Sequence, residues 1–84
     1  MIFVYVLGKL EAGTENEVLD SLKKINQVRT ASLTYGFYDL FIEALCTNLE
    51  ELDDLVFNVI RKIPGINETV TLVASRSIHP PMGF

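Results

Sequence analysis

The sequence predicts an α+β domain in which two helices cover one face of a four-stranded antiparallel sheet. Segments with strand-like and helix-like patterns follow one another in the order βαββαβ, which is the split βαβ plan. A chain of 84 residues is long enough for one domain, and its hydrophobic fraction of 49% is too high for a disordered segment. The right-handed crossover rule then places both helices on the same face of the sheet, which is the ferredoxin-like arrangement.

The first strand is predicted at residues 2–10, where β-branched and aromatic residues dominate. After a turn at residues 11–13, Thr14 and Glu17 have the spacing of a capping box, in which each side chain bonds the backbone N–H of the other residue. A helix is therefore predicted to start at Thr14 and to end near Asn26. Its apolar stripe consists of Val18, Leu19, Leu22 and Ile25.

The second and third strands are predicted at Val28–Tyr35 and at residues 38–46, with a turn at Gly36 and Phe37 between them. Because this connection is so short, the two strands must pair antiparallel. Strict alternation divides the second strand into two faces. One face has Arg29, Ala31, Leu33 and Tyr35, and the other has Val28, Thr30, Ser32 and Thr34.

A second helix is predicted after Asn48, which forms a capping-box pattern with Glu51. Six apolar residues then follow at helical spacing, and Pro64 with Gly65 ends the helix. These six residues are Leu52, Leu55, Val56, Val59, Ile60 and Ile63.

The last strand is predicted at residues 66–75. The domain is expected to span residues 1–76, which leaves residues 77–84 as a tail. Pro80 and Pro81 prevent regular structure in this tail.

Both faces of the first and third strands are apolar, although two helices can cover only one face of the sheet. The second face would contain Phe3, Tyr5, Leu7, Phe41 and Leu45, with Glu43 as the exception. A contiguous apolar face of this kind is rarely left in water. We expect a second copy to pack on it by a two-fold axis, and the alternative is that the tail folds back over it.

The composition narrows the class of function. The net charge of −4 and the scattered basic residues argue against direct nucleic-acid binding. The adjacent pairs Lys23-Lys24 and Arg61-Lys62 are interpreted as cations that complement the helix dipoles. One cysteine and one histidine allow no internal disulfide and make a zinc site improbable, and no cofactor is expected. No signal peptide or membrane span is visible, so a soluble cytoplasmic protein is expected.

The segment TYGFYDL contains the strongest candidate site, because Asp39 stands at the mouth of an apolar strand. Asp39 can cap the amides of the turn, act as a catalytic acid or bind a ligand. Gly36 allows a ligand to approach the backbone closely, and Tyr35 and Tyr38 supply apolar walls with polar tips. Such a set suits a zwitterion such as an amino acid.

Other polar residues give weaker signals. Thr69 and Thr71 lie on one face of the last strand, where they reflect ordinary β-propensity or bind a ligand carboxylate. Glu43 has no second carboxylate beside it in the sequence to form an acid/base pair. His79 is expected to be exposed, and Cys46 is expected to act as a small apolar residue.

Several segments together resemble the effector domain, or RAM domain, of the Lrp/AsnC (feast/famine) transcription regulators. These segments are IFVYVLGKL, EAGTENEV, YGFYDL, NLEELDDLVFNVIRKIPGI and ETVTLVAS, over residues 1 to about 76. The G-x-Y-D-L loop followed by LEELD and IRKIPG is the specific part.

The resemblance implies the βαββαβ fold, dimers that pair sheet to sheet, and four dimers closing into a ring. It implies that an amino acid binds between dimers, at Tyr35, Gly36, Tyr38 and Asp39, with Thr69 and Thr71 from the adjacent dimer. Family members begin with a helix-turn-helix domain, whereas this sequence opens on its first strand. The expectation is a stand-alone effector module without its own DNA-binding domain, which can co-assemble with full-length regulators.

Two alternatives remain open at the level of sequence. A dimeric α+β barrel enzyme, of monooxygenase or isomerase type, would need a cavity between helices and sheet lined by His, Tyr or Asn. The sequence has no phosphate loop or nucleophile elbow, and no enzyme is expected. A purely structural assembly adaptor would have Asp39 fully satisfied by local amides.

Overall fold

The computed structural model describes residues 1–78 of the chain, and it confirms the ferredoxin-like βαββαβ fold. The strands are β1 (Ile2–Leu10), β2 (Val28–Leu33), β3 (Leu40–Cys46) and β4 (Ile66–Val73). The helices are α1 (Glu15–Lys23) and α2 (Leu49–Asp54), and α2 continues as a π-helical turn (Leu55–Val59) and a 3-10 turn (Ile60–Lys62). The four strands form one antiparallel sheet in the order β2-β3-β1-β4.

A single apolar core lies between the helices and one face of the sheet. The central strands β1 and β3 alternate strictly, so that every second side chain enters this core. The fully buried side chains from the sheet are Val4, Val6, Leu40, Ile42, Ala44 and Cys46, and those from the helical segments include Val18, Leu22, Leu55 and Ile60. The described residues include no buried polar or charged side chain.

The two predicted capping boxes have different outcomes. Asn48 is confirmed as the N-cap of α2, because its Oδ1 accepts from Glu51 N–H at 2.9 Å. Glu51 Oε1 accepts from Thr47 N–H at 3.4 Å, one residue before the Asn48 N–H that the capping box predicted. The box at Thr14 is wrong, because the Thr14 hydroxyl donates to Glu11 C=O at 2.6 Å and caps no helical amide. That hydroxyl closes the preceding turn instead.

The second helical segment is not the uniform α-helix that its spacing predicted. Within the π-helical turn, Ile60 N–H donates to the carbonyl of Leu55, five residues earlier. A wider turn places residues i and i+5 on the same side, so Leu55 and Ile60 are both fully buried while Val59 is only half-buried. The segment ends at Lys62, and Ile63 is already extended before Pro64, as the residue preceding a proline prefers.

The predicted faces of β2 need correction because this strand contains a β-bulge at Arg29. Val28 pairs with Ala44 and Thr30 with Glu43, so one extra residue stands between the two pairs. The bulge places Val28 on the helix side together with Ala31 and Leu33. The hairpin strands are also shorter than predicted, because residues 34–39 form a loop and β3 starts only at Leu40.

Within residues 1–78, no further layer covers the face of the sheet opposite the helices. We call it the open face, and it consists of Phe3, Tyr5, Leu7, Phe41, Leu45, Val70 and Leu72, with Thr30, Ser32, Glu43, Lys9 and Glu68 around them. The rings of Tyr5 and Phe41 stack across β1 and β3 with their centroids 5.8 Å apart. The expectations for His79 and for residues 79–84 of the tail lie outside the described residues, so the alternative in which the tail covers this face stays a prediction.

Candidate functional site

The loop between β2 and β3 is held at both ends by hydrogen bonds. Thr34 N–H donates to Asp39 C=O at 2.8 Å, and the Thr34 hydroxyl donates to Tyr38 C=O at 2.8 Å. Asp39 N–H donates to Gly8 C=O at 2.9 Å, which fastens the loop to the central strand β1. Gly36 has a φ of 118°, a conformation that favours glycine and allows the chain to reverse at this position.

Asp39 caps an amide, as one of its three predicted roles required. Its Oδ2 accepts from Leu10 N–H at 2.9 Å. This partly buried bond ties the last residue of β1 to the loop. An ionised carboxylate has two oxygens and about four acceptor positions, so this single bond leaves most of them available. Capping the turn and binding a ligand are therefore compatible roles for Asp39.

The aromatic residues of the loop have different environments. Phe37 lies under the Lys9 ammonium, with Nζ 3.6 Å from the ring centroid, and the Tyr38 ring contacts Phe37 edge-on at 5.0 Å. These contacts fix Phe37 and Tyr38 on the open-face side of the loop. Tyr35 is fully exposed at 106%. It is therefore available for contact with another molecule.

A surface cavity of about 470 Å³ opens beside the loop. It is lined by Leu10, Ala12, Glu15, Leu33, Thr34, Tyr35 and Asp39. We call it the loop cavity. Two of the predicted residues, Tyr35 and Asp39, line it, whereas Gly36 and Tyr38 shape the loop without lining the cavity. Its volume lies in the range of small-molecule sites, which is roughly 300–1,000 Å³.

The charged groups of the loop cavity are both acidic. Glu15, the first residue of α1, lines it together with Asp39, and none of the lining residues in the described part of the chain is Lys or Arg. Sequence reasoning missed Glu15, because its helical position gives no sign that α1 starts beside the β2–β3 loop. A wall with two carboxylates and apolar side chains favours a ligand that has an ammonium group next to an apolar portion.

The structure does not bring the predicted threonines into the loop cavity. Thr69 and Thr71 are half-buried in β4 on the helix side of the sheet, opposite Gly8 and Val6. Thr69 lines a separate cavity of about 330 Å³ with Arg61, Ile66, Asn67 and Glu68, which we call the β4 cavity. The loop residues and Thr69 thus flank β1 on opposite sides.

Glu43 and Cys46 are the remaining candidates within residues 1–78. Glu43 is half-buried on the open face, opposite Tyr5 and Thr30. Cys46 is buried, and this burial raises the pKa of its thiol, to which the negative charge of Glu51 adds. The thiol is therefore protonated at neutral pH and is not an activated nucleophile.

Two further observations concern metal sites and membrane spans, and a third concerns the enzyme alternative. Within residues 1–78, no group of three or more His, Cys, Asp or Glu side chains has metal-binding geometry, and no helix is both long and apolar enough for a membrane span. The enzyme alternative needed a polar cavity between the helices and the sheet. In the described part of the chain, apolar side chains fill that layer.

Comparison with known proteins identifies the family. The model of the Lrp/AsnC ligand-binding domain matches residues 3–83. This chain belongs to the Lrp/AsnC ligand-binding domain family. The HTH-type transcriptional regulator FL11 of Pyrococcus abyssi is 30% identical over 76 residues, which are 90% of this chain and 50% of that protein. This Lrp/AsnC domain therefore spans about half the length of the regulator it matches.

Solved structures support the same assignment. A hypothetical protein from Pyrococcus horikoshii is similar with a TM-score of 0.84 and 34% identity, over 95% of this chain and 96% of that one. A transcriptional regulator from Neisseria meningitidis, solved as a complex with L-Met, has a TM-score of 0.88 over 99% of this chain and 55% of its own. At 12% identity, that second likeness concerns the fold alone.

Proposed function

We propose that this Lrp/AsnC domain is a regulatory module that binds an amino acid at the loop cavity and assembles through the open face of its sheet. The observation that supports this proposal most directly is the loop cavity, which the exposed Tyr35 and Asp39 line together with apolar side chains. The chain's relatives are transcription regulators, and a protein of the same fold was solved with L-Met.

In this proposal the assembly is a dimer formed through the open face, and dimers combine further into a ring. Amino-acid binding between dimers would favour one assembly over another, because a ligand shifts an equilibrium only by its difference in affinity for the two states. The same open face would allow the chain to join full-length Lrp/AsnC regulators. It would then pass on an amino-acid signal through that assembly.

Asp39 has two roles in this proposal, and the choice of variant separates them. Asp39→Asn keeps an amide oxygen that can still accept from Leu10 N–H, so the loop should stay folded. It removes the negative charge that would pair with a ligand ammonium. Asp53→Asn is the matched control, because Asp53 is an exposed residue of α2 with the same charge change and lies outside the loop cavity.

The test is a thermal-shift screen of the wild-type protein and both variants against each of the twenty L-amino acids. At a concentration of one hundred times Kd, a ligand stabilises the folded state by about 2.7 kcal/mol. For a domain of this size, each kcal/mol raises Tm by about 4–8 °C. We expect at least one amino acid to stabilise the wild type and Asp53→Asn but not Asp39→Asn. Equal stabilisation of all three proteins, or of none at millimolar concentration, would contradict the proposal.

A further inference from the structure

Three consecutive residues at the end of β1 hold the β2–β3 loop in place. Gly8 C=O accepts from Asp39 N–H at 2.9 Å, and Leu10 N–H donates to Asp39 Oδ2 at 2.9 Å. Between these two residues, the Lys9 ammonium lies over the Phe37 ring, with Nζ 3.6 Å from the ring centroid. Gly8 and Leu10 therefore fix the last residue of the loop, whereas Lys9 contacts its middle. We call the contact between Lys9 and Phe37 the loop clamp.

Lys9 connects this loop to the open face of the sheet. Lys9 and Glu68 pair across β1 and β4, and the Glu68 carboxylate lies 3.8 Å from the Lys9 ammonium. The pairing shifts by one residue directly after Lys9, because Leu10 pairs with Ile66 and Asn67 is an extra residue of β4. Lys9 therefore occupies the last regular position of β1 on the open face, where the sheet ends and the loop begins.

The strength of the loop clamp depends on how much water surrounds it. In the single chain, Phe37 is 74% exposed and the Lys9 side chain is 32% exposed. A cation–π contact is weak while water solvates the ammonium, and removal of this water makes it about five- to tenfold stronger as an equilibrium constant. A second copy packed on the open face would take water away from Lys9 and Phe37. Assembly would therefore strengthen the loop clamp.

The same loop also supplies residues to the loop cavity. Tyr35 and Asp39 line this cavity, and Phe37 lies midway between them in the sequence. The loop is short, at residues 34–39, and the bond from Thr34 N–H to Asp39 C=O, at 2.8 Å, joins its two ends. Because so short a closed loop moves largely as one unit, a displacement of Phe37 also moves Tyr35.

We propose that Lys9 is a positioning residue that couples ligand binding in the loop cavity to assembly through the open face. This inference rests on the proposed function and adds the regulation of that site. In the assembly, the desolvated loop clamp holds Phe37, and through it Tyr35, in the position that binds the ligand. Coupling between two equilibria is reciprocal, so a ligand that binds the ordered loop strengthens the assembly by the same factor.

The first experiment measures the loop without any ligand. Amide hydrogen exchange of Thr34 and Asp39, whose N–H groups are bonded in the closed loop, is followed by NMR in the wild type and in three variants. Lys9→Met keeps a long apolar side chain without the charge, and Lys9→Arg restores a cation that stacks on aromatic rings. Lys23→Met is the matched control, because it also removes a lysine and a surface ion pair, with Asp20 at 3.4 Å. Exchange should be at least about threefold faster in Lys9→Met alone.

The second experiment measures the coupling itself. The dissociation constant of the assembly is determined by sedimentation velocity, with and without a saturating concentration of each amino acid that stabilises the wild type. The ratio of the two constants is the coupling factor, which should be about five- to tenfold in favour of assembly for the wild type. It should fall to about one in Lys9→Met and return in Lys9→Arg, while Lys23→Met keeps the wild-type factor. A purely structural role of Lys9 would lower stability and leave this ratio unchanged.

The outcomes separate this inference from the proposed function. If amino acids bind and Lys9→Met has the same coupling factor as the wild type, the proposed function stands and the role of Lys9 is wrong. A ligand that weakens the wild-type assembly also overturns the inference, since the loop clamp predicts the opposite sign. If no amino acid binds the wild type, the proposed function fails and the coupling to a ligand fails with it. Unchanged exchange in Lys9→Met overturns the loop clamp whether or not a ligand binds.

Discussion

Among single residues, Gly13 and Gly65 have similar backbone conformations but different surroundings, so a pair of substitutions can separate strain from crowding. Their φ values are 90° and 102°, and a Cβ added at Gly13 would have no atom within 4 Å. A Cβ added at Gly65 would lie 2.5 Å from the Oγ1 of Thr14. Gly13→Ala should lower the free energy of unfolding by about 1–2 kcal/mol, the cost of a left-handed alanine. Gly65→Ala should cost at least about 1 kcal/mol more, because Thr14 must also move. Urea denaturation measures both, and equal losses would show that Thr14 yields without cost.

At the same scale, the sequence predicted Asp39 and Tyr35 as site residues because their types are unusual beside an apolar strand. It could not predict Glu15 or Arg61. Each lies on a helical segment where a charge is ordinary, and only the packing of the helices on the sheet brings each one into the wall of a cavity. Residues that reach a cavity only through tertiary packing leave no local pattern.

At the scale of elements, the start of α2 depends on a cap that α1 lacks. The Asn48 side chain accepts from Glu51 N–H at 2.9 Å. Asn48→Ala should therefore lower the free energy of unfolding by about 1 kcal/mol, since one helical amide loses its acceptor. Asn48→Asp keeps the acceptor and should restore most of the loss, whereas Asn16→Ala, an exposed asparagine within α1, should be nearly neutral. Chemical denaturation checks all three, and similar losses in Asn48→Ala and Asn16→Ala would contradict a capping role.

Element order followed from strand-like composition and helical periodicity, and the antiparallel pairing of β2 with β3 followed from their short connection. Three local departures did not follow from these patterns. The bulges at Arg29 and Asn67 each add one residue to a strand, and the π-helical turn adds one to a helix. An added residue leaves the composition of a segment unchanged and shifts only its register. The bulge at Arg29 causes such a shift, and it places Val28 on the helix side of the sheet.

At the scale of the whole molecule, the open face is the surface on which a second copy is expected to pack. Leu72 and Val73 are consecutive residues of β4 with exposures of 49% and 48%, yet Leu72 pairs with Tyr5 on the open face and Val73 with Val4 on the helix side. If a second copy packs on the open face, Leu72→Asp buries an unpaired charge in the interface and Val73→Asp does not. The two substitutions are thus matched in charge, exposure and position along the chain.

We expect Leu72→Asp to shift the protein from an assembly to monomers at micromolar concentration, while Val73→Asp keeps the wild-type mass in light scattering coupled to size-exclusion chromatography. Both variants should retain the far-ultraviolet circular dichroism of the folded chain, since neither side chain belongs to the buried core. A small domain without disulfides or metals depends on association for part of its stability, so Leu72→Asp should also lower Tm and make it independent of protein concentration. Loss of assembly in Val73→Asp with retention in Leu72→Asp would place the interface on the helix side and would leave the apolar open face without an explanation.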